Sequence, residues 1–417
     1  MKYLRFACIL CALALCLSLY ACSGAPSESQ ASSLPSQDFT EVPSTSQTAA
    51  KDPLKYRAMW ISYLDWDNAF DTSSAAAFEA SATAAFDKCV AIGINCVIVQ
   101  VRPFTDAVYP SEIFPWSSLI SGAQGTAPDY DPLKIMIDVA HAKGLAFEAW
   151  INPYRVKLND KNPGELAATN PAVLHPEWVE TVDGGMYFNP AIPEVQTLIT
   201  NGVVELVKNY NFDGIQFDDY FYPTTDASFD EEEYLLYANN KPLDEWRREN
   251  VNTLVSGVYK AIKAEKSSVI FGISPQGNND NNYNSQYSDV SMWLSTKGYV
   301  DYIMPQLYWG FNYKTSGGSD RFAFKNIVNE WLTMPRDDSV SLAIGLGAYR
   351  VGDSDGGSND QSEWSTGHNL KDMTDALDEV DGIGGFALFR YEFVFASPTN
   401  HELATKEASA LAEKYAA

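Results

Sequence analysis

The sequence predicts an α/β protein built as a single (β/α)8 TIM barrel with long βα loops. Three observations predict it. From Tyr56 onward, short and nearly continuous apolar runs alternate with longer amphipathic stretches, eight such pairs follow one another, and the eighth amphipathic stretch closes the chain. Strands apolar on both faces and separated by helices form a parallel sheet with helices packed on it. Eight units favour closure into a barrel over an open, doubly wound sheet. No glycine-rich phosphate fingerprint follows the first strand, which weighs against a nucleotide-binding fold.

In order, the apolar run 57–64 is the first strand and the alanine-rich stretch 73–91 its helix. The run 94–101 is the second strand; after a long loop comes helix 132–143, ended by Gly144. Strand 145–151, another long loop and helix 193–209 lead to the fourth strand, 213–217. The second half repeats the scheme. Helix 243–265 precedes strand 268–274 and the short helix 290–297, then strand 300–307 and helix 322–331. Strand 339–346 with helix 369–380, and strand 382–389 with helix 401–415, complete the eight. The long loops 103–131, 152–190 and 219–242 are expected to wall a cleft, since such barrels vary function through their βα loops.

The first fifty residues are of another kind. Lys2 and Arg5 precede an apolar run over 6–20, then Ala21, Cys22 and Ser23. A basic start, a short apolar core and a small residue before the cut describe a secretory signal, and the run is too short for a good membrane span. Leu19, Tyr20, Ala21 and Cys22 resemble the bacterial lipobox, whose cysteine becomes the lipidated N-terminus of the mature chain. The expectation is a lipoprotein signal peptide over 1–21 and an extracytoplasmic protein held to the membrane through Cys22. Residues 22–52, rich in Ser, Pro, Thr, Gln and Ala, cannot bury enough surface to fold and read as a flexible tether. The barrel then takes 53–417.

Composition excludes several functions. Lys and Arg number 29 against 54 Asp and Glu, a formal charge of −25, so no nucleic acid or anionic surface is expected to bind through a basic face. Cys8, Cys11, Cys16 and Cys22 belong to the leader, leaving Cys89 and Cys96. Those two are expected free and buried, because bridging a helix to the next strand is geometrically demanding. With four histidines and no zinc-type spacing, neither a metal nor a cofactor is expected. The oxygens of residues 278–282 would suit Ca2+, but a polar loop is the simpler expectation. A monomer is expected.

The active site of such a barrel lies at the carboxyl ends of its strands. The fourth strand ends in adjacent acids, Asp218 and Asp219, followed by Tyr220. Two like charges side by side raise each other's pKa, so the pair is either solvated in a loop or held for chemistry. Asp213, before Gly214, is expected in a turn. The other strand exits supply amides, arginines and aromatics. They are Trp60 and Asp65; Gln100 and Arg102; Glu148, Trp150, Asn152 and Arg155; Gln276; Gln306, Tyr308 and Trp309; Tyr349; and Tyr391 beside Glu392. Sugars stack C–H faces on Trp and Tyr and pair hydroxyls with amides, Arg and Asp. One aromatic alone is as a rule packing; convergence of the set on one face points to a polysaccharide substrate.

The stretches 100–103, 149–155, 188–190, 212–220 and 304–309, in that order, are similar to the glycosyl-hydrolase-like family 10 domain. This bacterial envelope family, often of lipoproteins, includes a hydrolase of peptide-stripped peptidoglycan glycan. The resemblance implies hydrolysis of an N-acetylhexosamine-containing glycan. Glycoside cleavage needs an acid for the leaving oxygen and a group that supports the oxocarbenium-like centre, which two carboxylates in different environments provide. Adjacent acids here resemble retaining N-acetylglucosaminidases that use the substrate's acetamide as nucleophile. Carried over, Asp218 orients the acetamide and Asp219 is the general acid. The strand is also similar to that of family 18 chitinases, but Gln216 replaces an acid and Tyr220 stands where their catalytic glutamate would be. If the pair shares one proton, Glu148, Glu392 or Asp65 would be the further carboxylate. The alternatives are a non-catalytic glycan-binding lipoprotein and a hydrolase of another polysaccharide.

Overall fold

The computed structural model describes residues 55–359 and 361–416; the predicted signal, Cys22 and the tether lie outside them. Eight parallel strands form a closed barrel with helices on its outside. The first strand, Tyr56–Ile61, pairs with both Cys96–Arg102 and Gly385–Phe389, which closes the ring. Ala146–Ile151, Gly214–Phe217, Ile270–Ile273 and Ser341–Gly347 are the third, fourth, fifth and seventh strands. The sixth is split into Tyr302–Ile303 and Gln306–Leu307, because Pro305 between them has no N–H to give the ladder.

Helices Ala75–Ala91, Pro132–Ala142, Pro193–Asn209, Leu243–Glu265, Val290–Ser295, Phe324–Thr333, Asn369–Asp378 and His401–Tyr415 follow the strands in turn. Local chemistry sets their starts. Ser74 and Asp131 each accept from the backbone N–H three residues on, while Pro132 and Pro193 occupy first turns, where a missing N–H costs nothing. Cys89 and Cys96 are free and buried. Among the described residues no helix is long and apolar enough to cross a membrane.

One element was not expected. The loop after the third strand folds into an antiparallel sheet of Arg155–Lys157, Val179–Val182 and Gly185–Phe188. Its hairpin turns at Asp183 and Gly184, with φ of 51° and 82°. An Asp-Gly pair between two short apolar runs is the sequence signal for such a turn.

The barrel interior is part apolar and part polar. Trp60, Cys96, Ile98, Trp150, Tyr302 and Met304 cluster inside it. Among them lies Glu148, accepting from Tyr56 Oη at 2.7 Å and Tyr302 Oη at 2.5 Å. Gln216 Nε2 donates to Tyr302 Oη at 2.7 Å, and Trp60 Nε1 donates to Gln216 Oε1 at 2.6 Å. This run of hydrogen bonds joins Trp60, Gln216, Tyr302, Glu148 and Tyr56, so each of these buried side chains has a partner. Glycines make room for it: a Cβ on Gly272 would stand 1.9 Å from the Tyr302 ring, and one on Gly214 2.9 Å from Glu148 Cγ. Gly214 is therefore a strand residue required by the close approach of both Ile270 and Glu148. Asp213 stands at the strand entrance rather than in a tight turn, accepting from Phe147 N at 2.8 Å.

Burial pushes the Glu148 carboxyl up to about 7, although its Tyr302 and Tyr56 hydrogen bonds pull the other way. Folded Glu148 thus keeps a proton that the unfolded chain has already lost. Its contribution to stability is full below the unfolded value and is lost as pH rises through about 7. Glu148→Gln is expected to flatten that part of the profile, measured as urea midpoints between about pH 5 and pH 8. An unchanged slope would mean that the folded protein holds Glu148 ionised.

Candidate active site

The fourth strand delivers Asp218 and Asp219 to the barrel mouth in unlike settings. Asp218 is buried; its Oδ2 accepts from Asn152 Nδ2 at 2.6 Å and Trp150 Nε1 at 3.1 Å, and its Oδ1 from Tyr220 N at 3.2 Å. Asp219 is half-buried; its Oδ1 accepts from Gln306 Nε2 at 3.0 Å and its Oδ2 from Gln286 Nε2 at 3.5 Å. Both carboxyls are pushed up, first by burial; on Asp218 the neighbouring carboxylate adds to this, while Arg155 and the hydrogen bonds oppose it. Gln306, Gln286 and Gln276 pull Asp219 back down. Each charge of such a pair disfavours the other, so the two titrate together rather than independently. The arrangement can therefore present one carboxylate and one carboxylic acid side by side.

Three buried polar atoms around the pair have no protein partner: Asn152 Oδ1, Ser274 Oγ and Gln286 Oε1. Buried polar groups are nearly always satisfied, so these three open atoms beside the acid pair are available to a polar ligand. Gln276 is held in place by Asn282, whose Oδ1 accepts from Gln276 N at 3.0 Å and whose Nδ2 donates to Gln276 O at 2.8 Å. The asparagine-rich stretch thus serves as a backbone clamp. Among the described residues no group of three or more His, Cys, Asp or Glu is disposed to hold a metal.

Other expected residues line the rim. Tyr220 is 48% exposed, with Arg155 Cζ 5.1 Å from its ring centre. Tyr308 stacks on Phe389 at 5.5 Å and 22°, and meets Tyr349 edge-on at 5.5 Å and 90°. Trp309 instead packs against the hydrophobic core, stacked on Phe322 at 4.9 Å.

Several expected site residues are placed elsewhere. Arg102 leaves the cleft because of a bulge: Gln100 registers with Trp150, but Arg102 registers with Ile151. The extra residue turns Arg102 to the outer face, where its Cζ lies 4.4 Å from the Phe114 ring centre. Asp65 joins two strand exits, its Oδ1 accepting from Arg390 Nη1 at 2.5 Å and Glu392 N at 2.9 Å, and its Oδ2 from Ser62 N at 2.7 Å. Glu392 is in turn paired with Arg390 at 2.8 Å and Asn68 at 2.9 Å. Gln100 is buried and accepts from Tyr63 N at 3.1 Å. Trp60 belongs to the barrel interior, and Tyr391 packs on Phe395 with ring centres 5.0 Å apart. Glu148 lies in register with Gly214, at the entrance of the fourth strand rather than its exit.

Residues 55–366 match the family described as Glycosyl hydrolase-like 10. The chain belongs to that family. It is 34% identical to Glycosyl hydrolase DigH of Escherichia coli (strain K12) over 420 residues, covering 92% of this chain and 92% of that protein. It is 38% identical to Glycosyl hydrolase YngK of Bacillus subtilis (strain 168) over 280 residues, 62% of this chain, and spans about half of that relative's length, 54%. Among solved structures, the PgaB (BpsB) glycoside hydrolase domain from Bordetella bronchiseptica superposes with a TM-score of 0.57 at 12% identity, over 85% of this chain and 98% of that one. Alpha-L-fucosidase isoenzyme 2 from Paenibacillus thiaminolyticus gives 0.53 at 15% identity, over 86% and 49%. At those identities the likeness is one of fold. In this member of the glycosyl hydrolase-like family, Gln286 is the contact to Asp219 that strand-exit reasoning misses. It lies beyond the short helix Asn279–Asn284, outside any strand exit.

Proposed function

We propose that this protein is an exported, membrane-tethered glycoside hydrolase of an N-acetylhexosamine-containing glycan, with peptide-stripped peptidoglycan strands as its substrate. The observation that carries the reading is the acid pair, with its two members held by different donors at the mouth of a barrel of a glycoside hydrolase-like family. Three donors on Asp218 favour its anion and oppose the burial that pushes its carboxyl up to about 7. Asp219, on the more open side, keeps the proton and gives it to the glycosidic oxygen as the bond to the anomeric carbon breaks. Asp65, Glu148 and Glu392 are committed to other partners. That leaves the substrate's own acetamide oxygen to attack the anomeric carbon, with Asp218 accepting from the acetamide N–H. Water then opens the cyclic intermediate, and Asp219, now the base, takes back a proton.

Tethering rests on the leader, with Lys2 and Arg5 before the apolar run and Cys22 after it; Cys22→Ser is expected to move the protein from the membrane to the soluble fraction. Incubation of the purified protein with peptide-stripped glycan strands, followed by mass spectrometry, tests the reaction. Release of short saccharides is expected. Sedimentation with the polymer and no products would replace the hydrolase with a glycan-binding protein; cleavage confined to another polysaccharide would move the substrate.

A further inference from the structure

Arg155 is a buried cation with donors that the proposed reaction leaves unused. It is 5% exposed and faces the rings of Phe104, Tyr220 and Tyr63, with Cζ at 5.0, 5.1 and 5.7 Å from their centres. Its Nε donates to the Pro103 carbonyl at 3.2 Å. Arg247, Arg321 and Arg390 each meet a carboxylate at 2.5 to 2.8 Å; Arg155 meets none within that reach among the described residues. Neither of its Nη groups has a hydrogen-bond partner there, and neither is sealed from solvent. A guanidinium set this deep is costly unless something answers its charge. Aromatic faces offset part of that cost and fix the plane of the group, so the fork is preorganised before any ligand arrives. It stands close enough to Asp218 and Tyr220 to oppose the upward shift of both.

We propose that Arg155 binds a carboxylate of the substrate through its Nη groups, and so selects glycan whose hexosamine carries a free acid. This rests on the hydrolase reading above. A planar fork of N–H donors matches a carboxylate in bidentate geometry, which a sugar hydroxyl does not. The surrounding chemistry makes the choice informative: the chain carries a charge of −25 and the cleft holds two acids. An anionic polymer is repelled there unless a local cation receives it. On peptidoglycan strands the matching group is the lactyl ether acid, which is free once the peptide has been removed and is an uncharged amide while the peptide is attached. The Arg155 fork would thereby distinguish stripped from unstripped strands.

The test compares stripped strands bearing free carboxyls with the same strands converted to methyl amides. For the wild-type protein, KM on the amidated strands is expected to rise by at least about tenfold, with a smaller change in kcat, as for loss of a charge-assisted contact. Arg155→Gln is expected to bring the two KM values together, and Arg155→Lys, which keeps the charge without the fork, to fall between. Equal kcat/KM on both strands for the wild type overturns the proposal and leaves the hydrolase reading standing. A purely supporting role for Arg155 would instead move the pH profile on both strands alike and preserve their ratio, which also overturns it. If the wild type cuts neither strand, the hydrolase reading fails, and co-sedimentation with the two strands decides the carboxylate contact by itself.

Discussion

Asp219→Asn is expected to lower kcat/KM on glycan strands by roughly 10²–10⁴-fold, the usual worth of a positioned general acid. The amide keeps the size of the side chain and an oxygen to accept from Gln306 Nε2, which lies 3.0 Å from Asp219 Oδ1, so strand binding should survive. What it lacks is the proton. The loss should therefore shrink on an aryl glycoside whose phenol leaves as an anion without help. Asp218→Asn should show no such rescue, because it removes the acceptor for the acetamide. The pH dependence has a definite sign. Both carboxyls are raised by burial, so the pair carries its single proton into the neutral range. Wild-type activity should fall on the alkaline side as that proton is lost, and on the acid side as Asp218 gains a second. In Asp219→Asn acting on the activated substrate the alkaline limb should vanish. Full activity of this variant on glycan would remove Asp219 from the reaction.

Arg247→Met should cost about 3–5 kcal/mol of folding stability, the scale for removing one partner of a buried ion pair. Arg247 and Asp230 are both fully buried, and join helix Leu243–Glu265 to the segment after the acid pair. Arg247 Nε donates to Asp230 Oδ2 at 3.0 Å, Nη2 to Oδ1 at 2.5 Å, and Nη1 to Tyr287 Oη at 3.1 Å. Its Cζ lies 5.1 Å from the Tyr222 ring centre and 5.0 Å from that of Tyr287. The same guanidinium thus braces the chain just beyond Asp219 and the neighbour of Gln286, and activity should fall along with stability. Urea unfolding measures the first effect. Arg247→Met combined with Asp230→Leu should recover much of the loss, since no charge is then left buried alone. A loss under about 1 kcal/mol, or a double variant that merely adds two penalties, would contradict this account.

The eight-fold alternation, the lack of a nucleotide fingerprint and the acid pair at the fourth strand's end are legible in the residues alone. These are local properties. Burial on one helix face, a proline in a first turn, or two acids ending an apolar strand can all be seen within a few residues. Pro193–Asn209, Leu243–Glu265 and His401–Tyr415 accordingly begin and end where the periodicity puts them. Which polar groups serve the cleft depends instead on contacts made when the barrel closes. Arg102 and Arg155 look alike as strand-exit arginines, yet a single extra residue between Gln100 and Arg102 turns one to the outer face, while the other stays beside Tyr220. Asp65 looks like a site carboxylate until ring closure brings Arg390 of the eighth strand's exit onto it. Glu148 looks like a catalytic candidate until Tyr56 and Tyr302 meet it inside the barrel. A side chain's type is written in the chain, but its partner is chosen by residues tens to hundreds of positions away, brought together only when the barrel closes.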